Sequence, residues 1–266
     1  MSYLINWPSE QIDPHAQVID RQFNWYTDVR GFFLEYALFF TIASLSYYPL
    51  MCLGVRLMKN RQSFDCKIPL FLWNMFLSIF STVGAISLSK ILYSQLTTLS
   101  LVDSICDHKT PYTSESAYFL WLFVISKVFE WVDTIFLILK KKNIRFLHWF
   151  HHLVTFLYTW HSSLFSYRVD AIMFFGGFIN FFVHGIMYAY YGFAGIGIKF
   201  PYSTIITYLQ TIQMYVCLII TLTSALKCES AWQENWHGLL FCLVMYGSYA
   251  FMFTKLLLSK LKTKIQ

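Results

Sequence analysis

Seven long apolar stretches constrain what this chain can fold into more than any other feature of the sequence. A helix needs about 20 predominantly apolar residues to cross the hydrocarbon core of a bilayer. Only 13% of the residues are charged, whereas soluble domains carry about 25%, and the stretches lack the polar faces that a large soluble helical protein needs. The sequence therefore predicts an all-α integral membrane protein with seven transmembrane helices. The predicted spans are residues 32–55, 68–92, 115–139, 146–166, 171–191, 203–225 and 235–258.

One membrane domain accounts for most of the chain, because no linker, low-complexity tract or repeat divides it. Residues 1–31 are mixed and polar, without the basic and then apolar pattern of a signal peptide. We therefore expect the first apolar stretch to stay in the protein as a signal anchor. The prediction has three parts: a polar amino-terminal segment over 1–31, a membrane domain over 32–258 and a basic tail over 259–266.

Basic residues concentrate between alternate spans, which predicts the orientation. Loops rich in Lys and Arg face the cytosol, so the amino terminus is expected on the far, lumenal side and the carboxyl terminus in the cytosol. The same clustering accounts for the net charge of +6 better than nucleic-acid binding does, and we expect no nucleic-acid partner. The basic residues on the predicted cytosolic side are Arg56, Lys59, Arg61, Lys67, Lys140, Lys141, Lys142, Arg145, Lys199, Lys255, Lys260, Lys262 and Lys264.

Two lysines near the carboxyl terminus match a cytosolic retrieval signal for the endoplasmic reticulum. Lys262 and Lys264 in KLKTKIQ have the K-x-K-x-x form. An ordinary basic flank that binds anionic lipid has the same composition, so the residues alone leave both interpretations open. The first predicts a multi-pass protein of the endoplasmic reticulum membrane.

Two cysteines, Cys106 and Cys228, lie in different loops that are both predicted on the oxidising side of the membrane. A disulfide between them is chemically allowed there. Their separation in space is not given by the sequence, so the bridge is a hypothesis.

Polar residues inside membrane spans are rare and tend to face the bundle interior, where they mark function. The third span holds KVFEWVDT, in which Lys127, Glu130 and Thr134 share a helix face and Asp133 lies on its flank. A lone buried charge is very unfavourable, so Lys127 and Glu130 are expected to pair. A structural ion pair that fixes helix register is the alternative interpretation.

The next three spans carry similar stripes of polar side chains. His148, His151 and His152 in HWFHH stand at i, i+3 and i+4, so we expect them to point the same way. Each stripe alone is typical of packing, but four consecutive spans that each present one indicate a functional site. The other stripes comprise Asn180, His184, Tyr188 and Tyr191 in the fifth span and Thr207, Gln210 and Gln213 in the sixth.

The histidines have two chemical interpretations, a metal site or a nucleophile. H-x-x-H-H also occurs in membrane di-iron desaturases and hydroxylases, but those sites use many imidazoles and this chain has 8 His, several of them far from the spans. A zinc site of three histidines fits on count alone. In the other interpretation, a buried neutral imidazole keeps one nitrogen free to attack a thioester, while a neighbour fixes its tautomer.

Four ordered motifs resemble the fatty acid elongases of the endoplasmic reticulum. The forms K-x-x-E-x-x-D-T, H-x-x-H-H, N-x-x-x-H-x-x-M-Y-x-Y-Y and T-x-x-Q-x-x-Q run through nearly all the spans without departure. FLHWFHH and SICD are most similar to the animal branch that extends saturated and monounsaturated acyl-CoAs around palmitate length. The residues concerned are Lys127, Glu130, Asp133, Thr134, His148, His151, His152, Asn180, His184, Met187, Tyr188, Tyr190, Tyr191, Thr207, Gln210 and Gln213.

The resemblance implies a reaction, a fold and partners. A long-chain acyl-CoA would condense with malonyl-CoA to a 3-oxoacyl-CoA two carbons longer, with release of CO2 and CoA, as the first step of the elongation cycle. Both substrates carry CoA, and no bound cofactor or metal is implied. The implied fold has seven helices, six of them in a ring around a narrow acyl tunnel. The implied partners are the reductases and dehydratase of the cycle and the lipids of the membrane, while a homodimer stays an open question.

The resemblance also gives hypotheses for individual residues. His151 attacks the thioester and carries the chain, while His148 and His152 orient it and shuttle the proton. Asn180 and His184 stabilise the enolate oxygen of decarboxylated malonyl-CoA. The remaining substrate-binding group is predicted to comprise Lys127, Glu130, Asp133, Thr134, Tyr188, Tyr191, Gln210 and Gln213, with Lys140, Lys141, Lys142, Arg145 and Lys199 facing the phosphates of CoA. The five basic residues fit a role in membrane topology alone equally well.

Two other classes of protein compete with this interpretation. A metal-dependent lipid desaturase or hydroxylase would hold iron or zinc and lose activity to chelators. A seven-helix receptor or lipid carrier would bind a ligand without releasing CoA.

Overall fold

The computed structural model describes residues 25–106, 114–165, 171–198, 200–201 and 203–265, and within these ranges it contains helices and no strand. The chain begins there with a π-helical turn, Trp25–Arg30. The α-helices that follow are α1 Gly31–Glu35, α2 Ala37–Met58, α3 Lys67–Thr98, α4 Leu101–Cys106, α5 Ser114–Phe129, α6 Val132–Leu139, α7 Phe146–Phe165, α8 Ala171–Gly195, α9 Ser203–Lys227 and α10 Glu229–Ile265.

Five of the described helices are long and apolar enough to cross a membrane. They are Ala37–Met58, Lys67–Thr98, Ile172–Gly195, Ser203–Lys227 and Asn235–Lys262. These helices confirm the prediction of an all-α integral membrane protein and coincide with the first, second, fifth, sixth and seventh predicted spans. The fourth predicted span is the helix α7, whose histidine, threonine and serine side chains lower its hydropathy. The count of seven spans stays a prediction.

The third predicted span is two helices, because the chain turns tightly between α5 and α6. The amide of Asp133 donates to the carbonyl of Glu130 at 3.1 Å, and that of Thr134 to Trp131 at 3.0 Å. Such i→i+3 bonds tighten the backbone. The turn therefore falls inside the K-x-x-E-x-x-D-T motif, and neither α5 nor α6 alone is long enough to span a bilayer.

The long helices pack in a definite order of neighbours. The helix α7 packs on α10, α10 on α9, α9 on α8 and α8 on α3, while α5 contacts α3, α7 and α8. The helix α2 packs on α6 and α7. Its other face stays uncovered, with Leu38 74% and Leu45 73% exposed, as expected for a surface that lies against lipid.

The first residues that the structure describes pack into the core. Val29 and Phe33 are fully buried among residues of α3, α5, α7 and α8. The guanidinium Nε of Arg30 donates to the carbonyl of Leu164 at 2.9 Å, which satisfies a carbonyl of the last turn of α7. Residues 1–24 of the predicted polar segment, Lys199 and the side chain of Lys264 lie outside the described residues.

The helix α10 differs from the predicted seventh span at both of its ends. It begins at Glu229 and bends at Asn235, where φ is −153° and ψ is 55°. The side chain of Asn235 then accepts from the amide of Gly238 at 3.0 Å, so it caps the long part of the helix. The helix runs on to Ile265, so the predicted basic tail continues α10 as far as it is described.

A disulfide joins Cys106, at the end of α4, to Cys228, just before α10, with their Cα atoms 5.3 Å apart. It ties together two connections that are 122 residues apart in sequence. The cysteines Cys52, Cys66, Cys217 and Cys242 form no disulfide.

Candidate active site

A buried ion pair marks the end of α5. The ammonium Nζ of Lys127 lies 2.6 Å from Oε1 of Glu130, and both side chains are buried. The ammonium also donates to Oδ1 of Asn180 on α8 at 2.9 Å and lies 4.2 Å from the ring centroid of Phe123. Charges far from water need such partners. The predicted pair therefore also links two helices.

The ion pair orients the amide of Asn180. Because an ammonium only donates, Oδ1 of Asn180 accepts from Lys127, and the amide nitrogen Nδ2 faces His184 Nε2 at 3.1 Å. The amide donates there, so Nε2 of His184 is the nitrogen without a proton. The proton of the ring is then on Nδ1, which lies 3.7 Å from Oε1 of Glu130. Lys127 thereby fixes the tautomer of His184.

The carboxylate of Asp133 is held by two aromatic donors. The indole of Trp73 on α3 donates to Oδ1 at 2.8 Å, and the hydroxyl of Tyr188 on α8 donates to Oδ2 at 2.9 Å. Asp133 and Tyr188 were predicted for the site, whereas Trp73 was not. These contacts join α3, α6 and α8.

A second chain of hydroxyls leads to His148. The hydroxyls of Tyr47 on α2 and Thr134 on α6 are 2.9 Å apart, and Thr134 Oγ1 lies 3.0 Å from Nε2 of His148. The ring centroid of His148 is 4.4 Å from that of His152. Tyr47 and Thr134 are both buried, so the hydrogen bonds are shielded from water.

The three histidines of HWFHH spread across one face of α7. At 100° per residue, His152 stands about 40° from His148 and His151 about 60° to the other side. Accordingly, the rings of His148 and His152 pack together, while the ring of His151 lies 4.9 Å from that of Tyr249 on α10. The rings of His151 and His152 are still only 5.7 Å apart, so the three histidines share one helix face, with His151 on the side toward the pocket.

His151 faces a narrow pocket between five helices. Of the three clustered histidines, it is the one that lines this pocket. The other lining residues are Phe123 of α5, Thr155, Tyr158 and Thr159 of α7, Ile172, Met173, Gly176, Gly177 and Asn180 of α8, Gln213 and Met214 of α9, and Met245, Tyr246 and Tyr249 of α10.

The backbone beneath His151 is tied to α10. The hydroxyl of Tyr249 donates to the carbonyl of His151 at 3.1 Å and lies 2.9 Å from Oγ1 of Thr155. Tyr249 is almost fully buried. It therefore holds the position of His151 relative to the opposite wall of the pocket.

The polar residues of α9 do not contact one common site. Gln213 is buried and lines the pocket, whereas Gln210 lies outside the pocket lining, with its amide 3.0 Å from the sulfur of Met187. The hydroxyl of Thr207 accepts from Nζ of Lys260 at 2.7 Å, a contact that the sequence did not predict. Tyr191 is 41% exposed.

One lysine of the basic loop after α6 is engaged in hydrogen bonds within the protein. Nζ of Lys141 donates to the carbonyls of Lys59 and Arg61, at 3.0 Å each, so it joins this loop to the one after α2. Lys142 and Arg145 are exposed, and Lys140 is half-buried.

Among the residues that the structure describes, no three histidine, cysteine, aspartate or glutamate side chains are grouped so that they could hold a metal ion. His161 and His237 form a separate pair at the other end of α7, with ring centroids 5.0 Å apart.

The chain matches the family model described as "ELO: GNS1/SUR4 family" over residues 32–264. A human protein named very long chain fatty acid elongase 3 is 36% identical over 85% of this chain and 84% of its own length. A Gallus gallus protein named very long chain fatty acid elongase 6 is 32% identical over 88% of each chain. A Caenorhabditis elegans protein named long chain fatty acid elongase 1 is 36% identical over 68% of this chain, and the match spans 63% of that relative.

Proposed function

The chain belongs to the ELO family, GNS1/SUR4, which makes it a fatty acid elongation enzyme, and we propose that it catalyses the condensing step. In that step an acyl-CoA and malonyl-CoA give a 3-oxoacyl-CoA that is two carbons longer, CO2 and free CoA. The observation that carries the proposal is the position of His151, which faces the pocket together with Asn180 and Gln213.

In the first half-reaction, a ring nitrogen of His151 attacks the carbonyl carbon of the acyl thioester. A C–N bond forms, the C–S bond breaks and CoA leaves as its thiol. The ring proton must depart as the acyl-imidazole forms. The adjacent His152 and His148, with Thr134 and Tyr47 behind them, are candidates to take this proton and pass it to the departing sulfur.

In the second half-reaction, malonyl-CoA loses CO2 and its α-carbon attacks the acyl-imidazole. The C–N bond breaks, and His151 takes up one proton to return to the neutral imidazole. The negative charge that develops on the thioester oxygen needs a donor at this point. The amide of Asn180 suits this role because its oxygen is occupied by Lys127 and its NH2 group carries two protons.

The CoA portions are proposed to lie at the cytosolic face. The exposed Lys142 and Arg145, with Lys140, would attract the phosphates. Lys199 belongs to the same proposal from its sequence position. Lys141 contributes chiefly by holding the loop, because its ammonium is engaged by two carbonyls.

We also propose the finer architecture. The order of neighbours α7, α10, α9, α8, α3 and α5 returns to α7, which supports six helices around a tunnel with α2 outside, and hence seven membrane passages. The proposed location is the endoplasmic reticulum, with a lumenal amino terminus and a cytosolic carboxyl terminus. Reductases and a dehydratase of the same membrane would consume the product, and the reaction as written needs no bound cofactor.

The test isolates the first half-reaction, in which the acyl chain is transferred from CoA to the protein. Purified protein is mixed with radiolabelled palmitoyl-CoA in the absence of malonyl-CoA, and labelled peptides are mapped while free CoA is measured. We expect a labelled peptide containing His151 and release of CoA. His151→Ala should abolish the labelling and lower the elongation rate at least about 1,000-fold, as loss of a covalent nucleophile does elsewhere.

His161→Ala is the matched control, because His161 lies on the same helix but does not line the pocket. It should keep both the labelling and the elongation rate. Labelling that persists unchanged in His151→Ala would show that another group carries the chain.

A further inference from the structure

The side-chain amide of Gln213 on α9 is buried at the wall of the pocket without a hydrogen bond. The residue is 4% exposed and lines the pocket, and no described residue forms a hydrogen bond with its side chain. A buried amide in this state is unfavourable for the folded protein, and most such groups in native structures have a partner. Its place in the pocket wall indicates that a bound substrate supplies the missing partner.

Contacts between α9 and α10 place Gln213 at the depth of His151. The hydroxyl of Thr211 lies 3.5 Å from the carbonyl of Phe253. Because the two helices are antiparallel neighbours, Gln213 is level with the turn of α10 that holds Tyr249 and Phe253. The ring centroids of these two residues lie 4.9 Å and 6.2 Å from that of His151. Gln213 and His151 therefore face the pocket at one depth.

Contacts between α9 and α8 agree with this depth. The amide of Gln210 lies 3.0 Å from the sulfur of Met187. Since α8 and α9 also run antiparallel, a step of three residues forward along α9 matches a step of three back along α8. Gln213 is therefore level with His184, one turn from Asn180. It presents its amide from a different helix than either of them.

Other donors close to His151 already have acceptors. The hydroxyl of Tyr249 has one proton and donates it to the carbonyl of His151. The hydroxyl of Thr155, 2.9 Å from that of Tyr249, then donates to Tyr249. Two side-chain amides at this depth still have N–H groups to offer a substrate, those of Asn180 and Gln213. The amide of Asn180 is proposed to serve the enolate.

We propose that Gln213 is a catalytic residue for acyl transfer, because its amide nitrogen Nε2 donates to the oxyanion that forms on the acyl carbonyl. This inference rests on the proposed function. When a ring nitrogen of His151 bonds to the carbonyl carbon, the π electrons of the carbonyl move to its oxygen, where Nε2 stabilises the charge. The carbonyl then re-forms, the C–S bond breaks, and the sulfur leaves with the proton from the ring.

The same donor serves the second half-reaction. Attack of the malonyl-derived α-carbon on the acyl-imidazole moves charge to the same acyl oxygen, and the charge returns as the C–N bond breaks. The acyl oxygen is then held from α9 by Gln213 and the enolate oxygen from α8 by Asn180. The two negative charges are thus assigned to separate walls of the pocket.

The experiment measures single-turnover acylation of Gln213→Met, which keeps the length of the side chain but has no N–H donor. With radiolabelled palmitoyl-CoA and no malonyl-CoA, the rate constant for release of CoA should fall about 100- to 1,000-fold, as loss of one oxyanion donor does elsewhere. Affinity for S-hexadecyl-CoA, a thioether without a carbonyl group, should change less than about threefold. The melting temperature should not fall, because the substitution removes an unpaired buried amide.

Gln95→Met is the matched control. Gln95 on α3 is 2% exposed, and its Oε1 is buried without a partner, but it does not line the pocket. The same substitution there should keep the wild-type rate of acylation.

Three results would overturn the assignment. They are acylation of Gln213→Met within about threefold of the wild-type rate, an equal slowing by Gln95→Met, and a slower rate that comes with an equal loss of affinity for S-hexadecyl-CoA or with a lower melting temperature. The last would show a role in substrate binding or folding instead of transition-state stabilisation.

Failure of the proposed function would appear in the wild-type protein, which would then release no CoA from palmitoyl-CoA. That result removes the acyl-imidazole and the oxyanion assignment together. Normal wild-type acylation that is insensitive to Gln213→Met removes the oxyanion assignment alone.

Discussion

Lys127 can only donate hydrogen bonds, and this single property orients a series of side chains. Its ammonium fixes the amide of Asn180, and the amide fixes the tautomer of His184. The sequence offered two roles for Lys127, a structural ion pair or a part of the site. The geometry supports both together, because the pair sets the direction of Asn180, which is proposed to stabilise the enolate, and of His184 beside it.

Tyr47 is expected to act as a positioning residue for His148. In Tyr47→Phe the hydroxyl of Thr134 loses its hydrogen bond to residue 47. The orientation of that hydroxyl toward the imidazole of His148 is then no longer fixed. Loss of one such bond is worth about 1 kcal/mol, so we expect kcat to fall about fivefold with little change in KM. Steady-state elongation assays measure both constants.

Tyr48→Phe provides the comparison for this prediction, because Tyr48 is 46% exposed and packs on Trp149 instead. It should keep the wild-type kcat. Equal effects of the two substitutions, or a change confined to KM, would contradict the positioning role.

Spacing alone predicted the polar residues that come together here, but not their partners. Lys127, Asn180 and His184 were found because charged and polar groups in a lipid-spanning segment stand out. Tyr47, Trp73 and Tyr249 lie in spans rich in aromatic residues, where a tyrosine or tryptophan carries no signal. Their contacts depend on which helices become neighbours, and the sequence does not state this.

Among the elements, the turn between α5 and α6 places Glu130 and Asp133 on the two sides of a break. In a continuous helix, Glu130 and Asp133 would lie on the same straight segment. The break lets Glu130 pair with Lys127 while Asp133 accepts from Trp73 and Tyr188. Hydropathy did not reveal the break, because the residues around it, such as Phe129 and Trp131, are as apolar as any in a span.

The disulfide between α4 and the start of α10 is expected to stabilise the folded protein. Closing a loop of 122 residues restricts the unfolded chain, and native disulfides typically contribute about 2–4 kcal/mol. Cys106→Ser should therefore lower the melting temperature by roughly 5–15 °C. Thermal unfolding in detergent measures the change.

Reduction of the wild-type protein should give the same lower melting temperature and should not lower that of Cys106→Ser further. Cys52→Ser removes a free cysteine on α2 and should melt like the wild type. If reduction leaves the wild-type melting temperature in place, the bond makes no contribution to stability.

Helix ends were the least predictable feature of the elements. The predicted seventh span begins at residue 235, whereas α10 begins at Glu229 and only bends at Asn235. The asparagine is a good helix cap, so the sequence signal for a helix start was present. It marks the bend, where Asn235 caps the long part of the helix.

For the whole molecule, the order of neighbours decides where the pocket forms. The sequence predicted which segments cross the membrane, since apolar length is a local property. It did not predict that α7 and α8, which are consecutive, would line opposite walls of one pocket with α9 and α10. Packing of small against large side chains, such as Gly176 against Tyr246, sets that arrangement.

The orientation proposed from the basic loops has a direct test in cells. An epitope after Gln266 should bind antibody once the plasma membrane alone is permeabilised with digitonin, because the basic residues keep that end in the cytosol. An epitope before Met1 should bind only after all membranes are opened. Immunofluorescence of both tagged forms measures the difference.

A lumenal protein stained in the same cells serves as the barrier control. Staining of both epitopes under digitonin, while the lumenal protein stays hidden, would rule out an odd number of passages.

The bond from Arg30 to Leu164 has a consequence for biosynthesis. Arg30 leaves the ribosome long before Leu164, whose carbonyl it binds, has been translated. Until α7 has been translated and inserted, the guanidinium has to be accommodated by water, lipid headgroups or an insertion factor. The segment around Arg30 can therefore reach its final position only after more than half of the polypeptide has been made.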